Sequence, residues 1–265
     1  MGSGPPLVLL HGVCHRRQAW YPVLELLAAH REVIAVDLPG HGESDPLPDD
    51  GRWVVDALQD AMLEFFDQQG LVKPHVAGNS LGGRIALELA AIGRAASVTA
   101  LAPAGFWRSA RAFSYTKGVF GAAQTLSVAL GPAAPVLSMS ALGRALMYGW
   151  IVAKPANLSS ARALGDFRAF HTAAPMLREL LKAATPFAGH IPDDVEVTIA
   201  WGTRDAVLPS YQAKVARAAL PNAHHVTLPG CGHVPMSDDP RLIADVLLAG
   251  SALTTSVPTA FDLVS

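Results

Sequence analysis

Gly78-Asn79-Ser80-Leu81-Gly82-Gly83 is the stretch on which the reading of this 265-residue chain turns. It follows an apolar run at residues 72–77 that reads as a short buried strand. It precedes residues 81–92, where Ile85, Leu89 and Ile92 recur at helical spacing. Strand, G-x-S-x-G and helix, in that order, describe a tight reversal with a serine hydroxyl at its tip. Glycines two residues before and after the serine leave room for neighbouring chain that a Cβ would obstruct. The same turn puts the Leu81 amide at a helix N-terminus, where the dipole favours an oxyanion.

Other positions extend this reading. Asp205 lies in Trp201-Gly202-Thr203-Arg204-Asp205, just after an apolar run at residues 195–200. His233 lies in Gly230-Cys231-Gly232-His233-Val234-Pro235, just after a strand-like run at residues 225–228. The chain order is nucleophile, acid, histidine, and each candidate follows a predicted strand. Parallel α/β sheets bind their ligands at those strand ends. Near the start, Leu7-Val8-Leu9-Leu10 leads into His11-Gly12-Val13. Between these motifs runs Asp37-Leu38-Pro39-Gly40-His41-Gly42-Glu43-Ser44, a D-x-P-G-x-G-x-S turn.

With these elements in register, the sequence resembles the Ser-His-Asp α/β-hydrolases from residue 7 to about residue 249, apart from an insert. The resemblance implies an α/β-hydrolase fold: a mostly parallel, doubly wound sheet of about six strands with an inserted helical lid. It implies Ser80 as nucleophile, His233 as base and then acid, and Asp205 as the group that orients the imidazole. It implies an oxyanion hole made of the Val13 and Leu81 backbone N–H groups. His11 and His41 are read as residues that orient their loops. Asp238 and Asp239 are read as capping acids of the last helix. Arg84 reads as one half of a surface ion pair. The chain also departs from the family pattern, because the first oxyanion strand arrives without the usual preceding hairpin. Residues 1–6 either stand in for that segment or leave a shortened sheet.

Strands alternate with helical segments on both sides of the insert, as a parallel, doubly covered sheet requires. The core is expected over residues 1–103 and 190–250, the lid over 104–189, and a frayed tail over 251–265. The insert is rich in aromatic residues and methionine, and residues 118–143 carry no charge. Such an apolar length invites a membrane-spanning reading. Polar residues, Gly131, Pro132 and Pro135 interrupt it, so a pair of short apolar helices is expected instead. Trp107 and Phe170 are the candidate pocket residues. A minority reading has the lid offer an apolar surface to lipid or to an acyl-carrier partner.

Composition narrows the function further. The net charge of −2 gives no reason to expect nucleic acid or an anionic membrane as partner. Cys14 and Cys231 are read as reduced thiols used as small apolar residues. No His, Cys, Asp and Glu grouping has metal-ligand spacing, and no G-x-G-x-x-G opens a first βα turn, so neither metal nor cofactor is expected. The N-terminus lacks a basic segment followed by an apolar one, which points to the cytoplasm. The leading function is a serine hydrolase cleaving a carboxylester, thioester or lactone of a small apolar substrate. A carbon–carbon bond hydrolase of the ring-fission-product type is the alternative, because Gly78-Asn79-Ser80-Leu81-Gly82-Gly83 resembles that group's turn. Val234 after His233 weighs against it, since that group commonly has Trp there. A non-enzymatic ligand receptor on the same fold is the reading from another class. Oligomeric state is left open.

Overall fold

The computed structural model describes residues 1–48 and 51–252. Six strands build one sheet: β1 (Pro6–Leu10), β2 (Glu32–Val36), β3 (His75–Asn79), β4 (Ser97–Leu101), β5 (Glu196–Gly202) and β6 (His224–Leu228). Their spatial order is β2-β1-β3-β4-β5-β6, and every adjacent pair is parallel. The third strand starts at His75, inside the run at residues 72–77. Val72 is 78% exposed, so its hydrophobicity marks a loop rather than the core.

Period-two alternation sorts the central strands between two helical layers. Leu7 and Leu9 of β1 face one cluster with Trp20, Val23 and Leu27, which also holds Ile243 and Leu247. This layer contains α1 (Tyr21–Ala28) and α10 (Pro240–Gly250). Val8 and Leu10 face the opposite cluster with Leu58, Phe66, Ile85 and Leu89. There the sheet is covered by α2 (Val54–Gln68), α3 (Leu81–Ala91) and α9 (Tyr211–Ala219). Both central strands β3 and β4 are buried along their whole length, as strands covered on two faces must be.

Between β4 and β5 the alternation stops. The insert forms five helices: α4 (Ala110–Leu130), α5 (Ala134–Met139), α6 (Ala141–Tyr148), α7 (Ser160–Thr172) and α8 (Ala174–Ala183). The uncharged stretch 118–143, expected as a pair of short helices, spans the second half of α4, all of α5 and the start of α6. Gly131 and Pro132 end α4, and Ser109, Ser140 and Ser159 cap α4, α6 and α7 through their side chains. Ala134, Met147 and Phe167 give the insert a small cluster of its own.

The C-terminal reading changes at its first residue. Ser251 is buried, its hydroxyl donates to Leu247 O at 2.7 Å, and Arg31 Nε donates to it at 3.2 Å. It closes α10 rather than fraying. The rest of the expected tail, residues 253–265, lies outside the described residues. At the other end, the Met1 ammonium donates to Val33 O at 3.0 Å and Val33 N donates to Met1 O at 2.7 Å. The first residue therefore pairs with β2.

Candidate active site

Strand order reverses between β1 and β3, which opens a crevice at their C-terminal ends. Leu10 is in register with Gly78, so residues 11–13 emerge beside Asn79 and Ser80. Ser80 has φ 55° and ψ −111°, in the left-handed half of the map that a non-glycine residue seldom occupies. The turn is held from three sides. Ser80 N donates to Leu101 O at 2.9 Å, while Ser80 O accepts from Arg84 N at 2.9 Å and from Ala104 N at 3.1 Å. The flanking glycines are needed for close approach. A Cβ on Gly78 would overlap the backbone of Gly82, and one on Gly82 would overlap the carbonyl of Leu10. One on Gly12 would lie 3.3 Å from Ser80 Cβ, which shows how near the first loop runs to the serine.

Asp205 and His233 are in direct contact. His233 Nδ1 lies 2.8 Å from Asp205 Oδ2, and both residues are buried. The other carboxylate oxygen, Oδ1, accepts from Val207 N at 2.9 Å and Leu208 N at 2.8 Å. Two backbone donors thus hold the carboxylate and leave one oxygen for the imidazole. Ser80 is joined to His233 through its neighbour: Asn79 Nδ2 donates to Leu101 O at 3.1 Å and to His233 O at 2.9 Å. Ser80 Oγ makes no hydrogen bond among the described residues. In sites without substrate the nucleophile–base bond is often long and closes on binding.

Two buried histidines fasten the first loop. His11 Nε2 accepts from Leu38 N at 3.0 Å, and His41 Nε2 accepts from Cys14 N at 3.1 Å. Each Nδ1 faces a carbonyl, Gly12 O at 2.8 Å and Pro39 O at 3.1 Å, so each ring is neutral with its proton on Nδ1. Burial lowers both pKa values, that of His11 well below the ordinary 6.5. Loop 11–15 and turn 37–44 are thereby stapled to each other. Asp37 anchors the turn: it accepts from Arg17 N at 2.6 Å, Arg17 Nη1 at 2.6 Å and Glu43 N at 3.2 Å. Cys14 and Cys231 are free and buried, and burial pushes their thiols up to about 12 and about 11.

Three residues have roles the sequence did not reveal. Arg84 is buried, not a surface group. Its Nε donates to Glu88 at 2.6 Å, its Nη1 donates to Thr185 O at 2.9 Å, and its guanidinium stacks on Trp53 and Phe187. It ties α3 to the end of the insert. Asp239 caps α10 through Leu242 N, but Asp238 does not share that task. Asp238 accepts from Gly232 N, Ala153 N and Lys154 N at 2.8, 3.1 and 2.6 Å. It clamps the loop carrying His233 to the loop after α6, where Ile151 O also accepts from His233 N at 2.9 Å. Asp166 accepts from Arg16 Nε and Arg162 Nε, both at 3.1 Å. Its isolation was visible in the sequence, since no other acidic residue lies between Glu88 and Glu179.

Two adjoining hollows meet at Val13 and Phe120. One, of about 70 Å³, is lined by Ser80, Leu81, Trp107 and Phe113. The other, of about 50 Å³, is lined by Trp150, Phe170, Val234 and the Arg162–Asp166 pair. The two candidate pocket residues thus line different hollows. Among the described residues, no group of three or more His, Cys, Asp or Glu is placed to hold a metal ion.

A parallel sheet with a serine strained into the turn after its third strand, and an acid–histidine pair after its last two, is the architecture of the α/β hydrolases. The chain belongs to the alpha/beta hydrolase family, whose model matches residues 7–246. It is 29% identical to the uncharacterized protein Rv2715 of Mycobacterium tuberculosis, over 98% of this chain and 79% of that one. The crystal structure of a membrane phospholipase A, a bacterial virulence factor, superposes with a TM-score of 0.73 at 26% identity, covering 94% of this chain and 79% of that one. The fold is also shared with a putative lipase from Acinetobacter baumannii, at a TM-score of 0.69 and 24% identity, over 92% of this chain and 83% of that one.

Proposed function

We propose that this protein is a serine hydrolase that cleaves an ester-type bond of an apolar substrate through an acyl-enzyme on Ser80. The observation that carries the reading is the Asp205–His233 contact at 2.8 Å, tied by Asn79 to the strained turn that presents Ser80. In this reading Ser80 Oγ bonds to the substrate carbonyl carbon while its proton passes to His233 Nε2. Asp205 holds the imidazole with Nδ1 protonated and stabilises the imidazolium that forms. The carbonyl oxygen becomes an oxyanion held by the Val13 and Leu81 N–H groups. Leu81 opens α3, so its amide has no partner within the helix. His233 then returns the proton to the leaving oxygen or sulfur, and the carbonyl–leaving-group bond breaks. Water repeats the sequence and releases the acid.

The hollow beside Ser80 is lined mainly by apolar side chains, which favours an apolar acyl group. The insert acts in this reading as a lid, because helices α4 and α8 supply much of that lining. A fluorophosphonate probe should label the protein once, and Ser80→Ala should abolish labelling. Turnover should be found in a series of aryl esters and acyl thioesters assayed beside one ring-fission diketone. Turnover of the diketone alone would favour carbon–carbon cleavage. Labelling that survives Ser80→Ala would refute the assignment, and single-turnover labelling without product release would favour a receptor.

A further inference from the structure

Charge in this chain is segregated between insert and core. Residues 104–189 hold nine Lys and Arg against two Asp and Glu, a net +7 on a chain whose total is −2, so the remainder carries −9. Within that basic insert, residues 118–143 have no charged side chain. One side of that stretch is nonetheless on the outside. Val128 is 70% exposed, Val136 72%, Met139 73% and Leu142 82%. An ordinary protein surface of this extent is about a quarter to a third charged. Apolar patches of this kind mark a surface that something covers.

The helical stretch Ala110–Met139 is long and apolar enough to cross a membrane, and 22% of its most apolar window is buried. Its packing shows that it lies flat against the fold. Phe113, Thr116, Phe120, Ala123 and Ser127 form a buried stripe along α4. Tyr115 OH donates to Ala206 O at 2.8 Å and Thr116 Oγ1 donates to Val207 O at 3.2 Å, which ties the helix beside Asp205. A helix drawn across a bilayer would lose all of these contacts. A helix lying in the interface keeps them and still buries its other face.

We infer that α4–α6 dock the protein on an anionic phospholipid surface, with Val128, Val136, Met139 and Leu142 entering the boundary between headgroups and acyl chains. Charge complementarity selects this occupant: the apolar patch sits in a basic insert, while the acidic remainder of the chain is repelled by anionic lipid. Lys117 is exposed and precedes Val128 by eleven residues, close to three helical turns, so the two share a face of α4. The patch also runs into the interior. Leu126 is 37% exposed yet lines the hollow that holds Trp150 and Phe170 and borders Val13. An acyl chain leaving the lipid there enters the hollow without crossing water. The docking surface stands whether or not Ser80 is the nucleophile.

The test is co-sedimentation of the full chain with vesicles of phosphatidylcholine alone or of equal parts phosphatidylcholine and phosphatidylglycerol, with light scattering of the vesicle-free protein. Binding is expected on the mixed vesicles, and raised salt should weaken it. The triple variant Val128→Ser, Met139→Ser, Leu142→Ser should lose at least tenfold in partitioning while melting like the parent. Arg111→Gln and Lys117→Gln should each cost about fivefold. Ser80→Ala should bind as the parent does. Absence of binding to the mixed vesicles would overturn the inference, as would equal binding by the triple variant. A concentration-dependent dimer abolished by the triple variant, without vesicle binding, would assign the patch to a second copy of this chain instead.

Discussion

Asn79 Nδ2 donates to the carbonyl oxygen of His233 at 2.9 Å, joining the strand that leads into Ser80 to the loop that carries His233. The two residues are 154 positions apart in the chain. One buried amide thereby ties the turn that holds Ser80 to the loop that holds His233.

Replacing Asn79 with Ala should therefore harm stability and rate together. The buried His233 O would lose its donor, while Leu101 O would keep the Ser80 N–H at 2.9 Å. Leaving such a group unsatisfied costs about 1–3 kcal/mol. Thermal denaturation should show the loss, and kcat should fall more than KM rises, because the base loop is displaced rather than the substrate hollow. Unchanged kcat in a folded Asn79→Ala protein would show that the tether does not position His233.

Asp205 and Asp238 should separate into two kinds of defect. Asp205→Asn should lower kcat about 10⁴-fold, since the amide favours the wrong imidazole tautomer. Asp238→Asn removes an anionic acceptor from three backbone amides, and its main effect should be a lower melting temperature. Steady-state kinetics and calorimetry on both variants decide the matter. A larger kinetic loss from Asp238→Asn, with Asp205→Asn active, would transfer the acid's role.

Acid should destabilise the fold through His11 and His41. Their folded pKa values lie below the ordinary 6.5, mainly because of burial. As pH falls below about 6.5, the unfolded chain takes up protons that the folded chain refuses. Stability is then lost at about 1.4 kcal/mol per pH unit for each histidine, down to its folded pKa. Above that window their contribution is full and flat. Urea titrations at stepped pH should show the slope, and His41→Gln should remove one histidine's share of it. An identical slope in the variant would mean that His41 is not held neutral.

Acyl-chain length should read out the apolar hollow beside Ser80. Each added buried CH₂ contributes up to about 0.8 kcal/mol, or about fourfold in kcat/KM, until the space is full. Both hollows are small, so the climb should end after a few carbons unless the insert moves. Trp107→Ser and Phe170→Ser change different hollows, and comparing them assigns the acyl and leaving-group sides. The variant that flattens the acyl-length climb marks the acyl side. A flat profile in the parent would remove the case for an apolar substrate.

The sheet and the serine turn were legible because their signals are local. A strand buried on two faces is mostly apolar, and a reversal this tight admits only glycine at Gly78 and Gly82, where a Cβ would overlap backbone. The chain order of Ser80, Asp205 and His233 likewise survives at the ends of β3, β5 and β6. The insert was read less well. Its residues are apolar on the side facing the core and again on the outside, so periodicity did not mark how the uncharged stretch 118–143 divides among α4, α5 and α6.

Local sequence therefore determined the β/α alternation, the glycines of the turn and the candidate triad. Only the tertiary structure decided what lies between distant segments. Asp238 looked like a helix cap and Asn79 carried no reading of its own, because a side-chain amide or carboxylate carries no local mark of a partner many residues away. Arg84 looked exposed because its charge suggested it. Its actual surroundings are Glu88, two carbonyls of the insert and two aromatic faces, which together compensate for taking a guanidinium out of water. Pairing across the chain exists only once the sheet has brought those segments together, and composition does not encode it.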